Sequence, residues 1–226
     1  MTAVEKQLAL IRAKIAAMGG TAADMFQQAA LALTRPDEQA AREVVARDAL
    51  VDALEVEIEG ICLKYLALQA PKALELRYAV AATRLTLDIE RVADHATVLC
   101  REFLGRPIAG IVAAHPDFST MAALAGGMVR RAVDGFLALD DGLYLGLNLE
   151  DKEVGALQRA VNRSLAGRMA ENTERALDYV AVINIVRRVE RVADHAKNIA
   201  VMIPYVTKGL LLRHKTEDGA DADHDD

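Results

Sequence analysis

The chain has 226 residues, of which 53% are hydrophobic, so it can bury one large core or two small ones and is not a wholly disordered chain. Its 27 basic and 33 acidic residues give a formal net charge of -6, and this negative field argues against nucleic acid as a partner. Aromatic residues make up only 4%, and Ala, Leu and Val dominate the apolar set. This composition favours an all-α protein.

The first half of the chain contains three long apolar patterns with helical spacing. Apolar residues recur every three or four positions over about 4–33, 37–68 and 71–103. Pro71 suits the first turn of the third helix, where its missing N–H has no helical acceptor. We therefore predict a three-helix bundle that occupies residues 1–105.

The second half repeats this organisation. Helical patterns cover about 118–139, 143–165 and 171–203, and we expect the last helix to end before Pro204. These three helices predict a second bundle over residues 117–206.

Two weakly periodic segments complete the chain. Residues 105–116 hold two prolines and two glycines, which places a linker at 106–116. The polar run that ends in EDGADADHDD predicts a disordered acidic tail over 207–226.

Targeting signals and reactive thiols are not evident. No apolar stretch reaches the roughly 18 residues of a membrane span, and Glu5, Lys6 and Arg12 interrupt the N-terminus. We therefore expect a cytoplasmic protein with no direct membrane insertion. Cys62 and Cys100 lie inside helical patterns without a CxxC motif or a His partner, which predicts buried, reduced thiols.

An internal repeat is the strongest signal in the sequence. IERVADHA at 89–96 returns as VERVADHA at 189–196, so seven of eight residues are identical at a separation of 100. Each octet lies on the last long helix of its half. The repeat predicts two tandem three-helix bundles related by internal duplication.

Each octet places two carboxylates on one face of its helix. Glu90 and Asp94 are four residues apart, and Glu190 and Asp194 repeat that spacing. The second helix has an acidic stripe of its own, formed by Asp48, Asp52, Glu55 and Glu59. Because clustered carboxylates repel one another and oxygen ligands suit Mg²⁺, Mn²⁺ or oxidised iron, these acids predict a metal site.

Other interpretations of the octet stay open. The acids can pair with nearby arginines such as Arg84, Arg91 and Arg101 and form solvated faces, although the repeated octet favours a specific ligand. His95 and His195 lie one residue off the acidic face, which favours a hydrogen-bonded packing role over metal ligation. The nucleotide-binding motifs GxxxxGK[ST] and GxGxxG, the hydrolase motifs HExxH and GxSxG, and the di-iron ExxH motif do not occur, so we identify no catalytic residue.

The segment DALVDALEVEIEGICLKYLALQAPKALELR, followed by DIERVADHA and ERVADHAKNIA, resembles the PhoU family of bacterial phosphate-signalling regulators. The resemblance covers nearly the whole chain. It implies two tandem three-helix bundles, a homodimer and surface metal clusters of iron or another divalent or trivalent cation such as Mn or Mg. It also implies negative regulation of the phosphate-starvation (Pho) response through the phosphate ABC transporter ATPase and the sensor histidine kinase.

Carried over by the resemblance, the first metal site pairs Asp48 and Asp52 on the second helix with Glu90 and Asp94 on the third. The second site is incomplete, because aligning EDKEVGALQRAV with RDALVDALEVEI places Asp151 opposite Asp48 but Gly155 opposite Asp52. The remaining second-site acids are Asp151, Glu190 and Asp194. We therefore expect the second site to bind a cation more weakly than the first.

Two classes of function follow from these features. The favoured one is a non-enzymatic adaptor that relays phosphate status through protein contacts. The alternative is a carboxylate-bridged metalloenzyme or metal store that uses the same acids.

Overall fold

The computed structural model describes residues 3–210, and all regular secondary structure in that part of the chain is helical. The elements are α1 (Ala3–Thr34), α2 (Glu38–Gln69), α3 (Ala73–Gly105), α4 (Ala109–Ala113), α5 (Pro116–Ala138), α6 (Leu143–Glu171), a 3₁₀ turn (Thr173–Arg175) and α7 (Ala176–Lys208). The predicted all-α class is confirmed. Most of the sequence predicted as an acidic tail, residues 211–226, lies outside the described residues.

The ends of α2 and α3 follow from local hydrogen bonding. Asp37 caps α2, and its Oδ1 accepts a hydrogen bond from the Ala40 N–H at 2.9 Å. The N–H of Lys72 donates to Oε2 of Glu75 at 3.2 Å, which sets the start of α3. The prediction that Pro71 lies in the first turn of this helix is wrong, because the cap is at Lys72 and Pro71 precedes it.

The segment predicted as a linker contains the short helix α4. Ile108, Ile111 and Val112 in this segment are buried. The segment packs against α1 and α7, so it joins the core that both halves share.

The last helix continues past the proline at which we expected it to end. Pro204 lies inside α7, which ends at Lys208, so the predicted end before Pro204 is wrong. Pro204 removes one helical N–H, but its neighbours Ile203 and Val206 are completely buried, and this packing keeps the chain helical. Gly209 then ends the helix in the left-handed region with φ 74°, and its N–H donates to the Tyr205 carbonyl at 3.1 Å.

The helices form two antiparallel three-helix bundles, α1–α3 and α5–α7, that pack on each other. α3 packs along α7 and α1 along α5, while α2 packs mainly on α1 and α3, and α6 mainly on α5 and α7. α3 and α7 are antiparallel. Arg77, near the start of α3, contacts Val206, near the end of α7, and Asp88, further along α3, contacts His195, which lies earlier in α7. A single hydrophobic cluster runs through both bundles. None of the described helices is long and apolar enough to cross a membrane.

Candidate functional site

The four acids predicted for the first site lie together between α2 and α3. Burial raises the pKa of Asp48, and the negative charges of Asp52 and Asp94 raise it further. Burial and the charge of Asp94 also raise the pKa of Glu90, to about 7. Glu55 adds a fifth carboxylate, since its charge raises the pKa of Glu90 as well. These mutual effects show one concentrated patch of negative charge, which we call the first acidic cluster.

Only weak compensation reaches the first acidic cluster from the protein itself. Asp48 accepts a hydrogen bond from the buried hydroxyl of Thr97 at 3.0 Å. Nη2 of Arg101 lies 3.8 Å from Oδ2 of Asp48, at the outer limit of an ion pair, and most of the arginine side chain is exposed. The carboxylates of the cluster therefore repel one another with little compensation from these two groups.

The second cluster, formed by Asp151, Glu190 and Asp194, has a cation of its own. Nζ of Lys197 lies 2.6 Å from Oδ2 of Asp151 and 3.3 Å from Oδ1 of Asp194. Burial lowers the pKa of Lys197, but the hydrogen bond and charge of Asp151 outweigh that effect and the net pKa is raised. Arg191 adds a second positive charge, 3.5 Å from Asp194.

Lys197 and Thr97 occupy the same position of the internal repeat. ERVADHA is followed by Thr97 in the first half and by Lys197 in the second, and each residue bonds to the matching acid of its neighbouring helix. Gly155, which the sequence pattern indicated as the weakness of the second site, is therefore accompanied by a second difference, Lys197. The one-letter difference after the octet, ADHAT against ADHAK, was the signal that could have revealed it.

The two clusters therefore differ in how well they fit a metal ion. Carboxylate oxygens that raise one another's pKa are suitable ligands for a hard cation, so the donor chemistry of the first acidic cluster fits. The second cluster does not fit as it stands, because an ammonium group neutralises its acids. Among residues 3–210, no three Asp, Glu, His or Cys side chains converge closely enough to hold a metal ion.

The two histidines of the octets face each other where α3 meets α7. Their ring centroids are 5.5 Å apart, and Nδ1 of His195 lies 2.9 Å from Oδ1 of Asp88. Burial, together with the positive charges of His195, Arg188, Arg91 and Arg191, lowers the pKa of His95 to about 4. Both rings line a groove between α3 and α7, which we call the junction groove.

The polar side chains of the octets lie at two surfaces. Asp94 of the first octet acts on Asp48 of α2, whereas Asp194 of the second contacts Lys197 on its own helix and also lines the junction groove. The Arg and His of both octets line the junction groove. The predicted metal site therefore accounts for only part of what the repeated octet does.

Comparison with known proteins places both halves in one family. The family model described as PhoU domain matches residues 15–103 and again 118–203. The chain is 30% identical over 217 residues to a phosphate-specific transport system accessory protein PhoU homolog from Zymomonas mobilis, a match that covers 95% of this chain and 90% of that protein. A homolog of the same name from Pseudomonas putida is 29% identical over 213 residues, covering 92% of this chain and 82% of that protein.

Solved structures agree with this assignment. The crystal structure of PhoU from Pseudomonas aeruginosa superposes with a TM-score of 0.84 at 27% identity, covering 91% of this chain and 99% of that chain. The crystal structure of the phosphate transport system regulatory protein PhoU from Streptococcus pneumoniae gives a TM-score of 0.85 at 21% identity, covering 92% and 99%, and supports the fold alone. Since the family model matches most of the chain in two copies, the chain belongs to the PhoU family.

Proposed function

We propose that this protein is a negative regulator of the phosphate-starvation response that works as a cytoplasmic adaptor between the phosphate ABC transporter ATPase and the sensor histidine kinase. The observation that carries the proposal is the PhoU-family match over both halves, with relatives that are named accessory proteins of a phosphate-specific transport system. An adaptor acts through its surface contacts and needs no catalytic residue. The sequence motifs that are repeated in this chain are likewise not those of a known catalytic site.

The outer helices offer surfaces for such contacts. On α2, Val56 and Leu63 are 69% and 57% exposed and lie two helical turns apart on one face. On α6, Leu145 and Leu149 are 71% and 68% exposed and lie one turn apart. Large apolar side chains exposed in pairs on one helix face are typical of protein interfaces. We propose that these two faces contact the partners or a second copy of the chain in a homodimer.

We further propose that the first acidic cluster, with Asp48, Asp52, Glu90 and Asp94, holds a hard cation, whose binding would draw these carboxylates closer together than they lie in the described residues. Burial and mutual repulsion raise the pKa values of Asp48 and Glu90, and such an ion would offset the repulsion and stabilise the contact between α2 and α3. The difference in charge between the first acidic cluster and the second, which Lys197 neutralises, favours a structural or regulatory ion in the first half alone. The same carboxylates are also the observation on which a metalloenzyme or metal store would depend.

Partner capture tests the adaptor proposal directly. The full chain is used as bait against the purified transporter ATPase and the cytoplasmic part of the kinase, with the variants Val56→Lys and Leu63→Lys on α2, and Leu145→Lys and Leu149→Lys on α6. We expect the wild type to capture both partners. We expect the two variants on one of these helices to lose capture of one partner while they keep the thermal stability of the wild type. Capture of neither partner, together with metal-dependent turnover that is lost in Asp52→Ala, would favour the metalloenzyme instead.

A further inference from the structure

The junction groove is large enough for a small-molecule ligand. Its volume is about 820 Å³, within the range of roughly 300–1,000 Å³ that small-molecule sites occupy. It lies between α3 and α7, and five of its twelve lining residues are basic, Arg91, Arg187, Arg188, Arg191 and Lys197, against two acids.

Most of this positive charge is not neutralised. The two acids that line the groove already have partners, since Asp194 contacts Arg191 and Lys197, and Glu102 pairs with Arg106 at 3.7 Å. Arg91, Arg187 and Arg188 form no ion pair with a carboxylate in the described part of the chain. Three guanidinium groups therefore converge on one groove in a chain whose formal net charge is -6.

One difference between the two repeats contributes to the positive charge of the groove. Asp88 and Arg188 occupy the same position, one residue before the octet, in the two halves. Because α3 and α7 are antiparallel, Asp88 contacts His195, and the positive charge of Arg188 lowers the pKa of His95. At this position the first half therefore supplies a carboxylate, Asp88, to the histidine of the second octet. The second half supplies the guanidinium of Arg188, which forms no ion pair with a carboxylate in residues 3–210.

From this arrangement we infer that the junction groove binds a small molecule that carries two or more linked phosphate groups. A guanidinium presents paired N–H donors that match phosphate oxygens in a bidentate way, and three of them on two helices can contact successive phosphates. A single phosphate would fill only a small part of the groove. The ligand can be an inorganic polyphosphate or the phosphate chain of a nucleotide, and this inference does not depend on the proposed regulatory role.

Calorimetric titration of the full chain tests the inference. The probes are sodium triphosphate, ATP, orthophosphate and sulfate, at constant ionic strength and with a chelator present so that cations cannot bridge to the acidic clusters. We expect saturable binding of triphosphate at one site per chain, at least about tenfold tighter than orthophosphate or sulfate, because more charge-assisted hydrogen bonds form. Equal affinity for ATP would assign recognition to the phosphate chain, and tighter binding of ATP would show that the groove also contacts the nucleoside.

Matched arginine variants connect the binding to this groove. Arg188→Gln and Arg91→Gln should each weaken triphosphate binding by roughly tenfold or more, since each removes charge-assisted hydrogen bonds. Arg163→Gln is the control, because Arg163 is exposed on α6, away from the groove, and forms no ion pair in residues 3–210. It should change the affinity less than about twofold. The inference is overturned if triphosphate gives no saturable binding, if orthophosphate binds equally well, or if Arg163→Gln weakens binding as much as Arg188→Gln.

Discussion

Nδ1 of His195 lies 2.9 Å from Oδ1 of Asp88, and this contact joins the last helix of the second bundle to the last helix of the first. The same carboxylate oxygen accepts a hydrogen bond from Nδ2 of Asn198 at 3.1 Å. One carboxylate therefore holds two side chains of α7 across the boundary between the repeats.

Replacing Asp88 by Ala should destabilise the protein by about 1–3 kcal/mol, because a partly buried histidine and an asparagine lose their shared acceptor. Urea unfolding followed by circular dichroism measures the change. Asp24→Ala is the control, since Asp24 is half exposed in an ion pair with Arg130 and should cost less than about 1 kcal/mol. Equal losses in the two variants would show that the Asp88 contact contributes no more than a surface pair.

Cation binding should stabilise the first half of the molecule more than the second. Added Mn²⁺ should raise the melting temperature of the wild type, because a metal that binds only the folded state stabilises it by mass action. Asp52→Ala should remove most of that increase and Asp151→Ala very little. If the two variants lose the same share of the increase, the two clusters bind cations equally and the account of Lys197 is wrong.

Variants of Lys197 provide a second test of the difference in cation binding between the two clusters. Lys197→Thr should unfold more readily by about 1–3 kcal/mol without metal, because Asp151 and Asp194 lose their partly buried counter-charge. It should also gain an additional stabilisation by Mn²⁺, which is increased further by Gly155→Asp in the same chain. Gly155→Asp alone should have little effect on the Mn²⁺ response, because Lys197 still neutralises the cluster. Lys14→Thr, which breaks an exposed pair with Glu57, serves as the control.

The contribution of Glu90 to the stability of the metal-free protein should fall as the pH rises from about 4.5 to 7, opposite in sign to the contribution of His95, whose pKa is lowered. Burial and the charge of Asp94 raise the pKa of Glu90 from 4.5 to about 7, so in this window the folded state binds a proton that the unfolded state has released. The stabilisation from that proton is complete below the unfolded pKa and is lost as the pH passes the folded value. Urea unfolding in the presence of a chelator at several pH values measures the slope. Glu90→Gln should remove the Glu90 contribution, so the stability of the variant should rise more, or fall less, with pH than that of the wild type. An unchanged slope in that variant would contradict the assignment to Glu90.

The packing of α1 against α5 depends on one of two adjacent glycines. A Cβ at Gly19 would lie 2.6 Å from Cγ1 of Val133, whereas a Cβ at Gly20 would have no atom within 4 Å. Gly19→Ala should therefore destabilise the protein by about 1–3 kcal/mol, and Gly20→Ala should stabilise it by up to about 1 kcal/mol through helix propensity. Thermal unfolding distinguishes the two, and Val133→Ala should reduce the penalty in Gly19→Ala. Stabilisation in both single variants would show that α1 and α5 do not approach this closely.

The helical periodicity and the repeated octet were sufficient to predict the all-α class and the two three-helix bundles, because both signals depend on short-range spacing. The end of α7 was not predictable from Pro204, since the burial of Ile203 and Val206 depends on tertiary packing. Burial of Ile108 and Val112 beside α4 is likewise a consequence of how the two halves meet.

The candidate site was likewise predictable only where it depends on short-range spacing. The acids at Asp48 and Asp94 could be paired from spacing and resemblance, but their counter-charges could not. Lys197 lies three residues beyond Asp194 on α7, and only the packing of α6 brings Asp151 to it. The junction groove depends on the antiparallel contact of α3 with α7, which no pattern within either helix reveals.

The most direct test of the proposed regulatory role is the expression of phosphate-starvation genes in a deletion strain. A reporter for those genes is measured in phosphate-rich medium in the host, with the transporter intact and with wild-type protein restored in a parallel strain. We expect deletion to switch the reporter on and restoration to switch it off, because the kinase loses and then regains its repressor. Reporter expression that stays low in the deletion strain would contradict the proposed role.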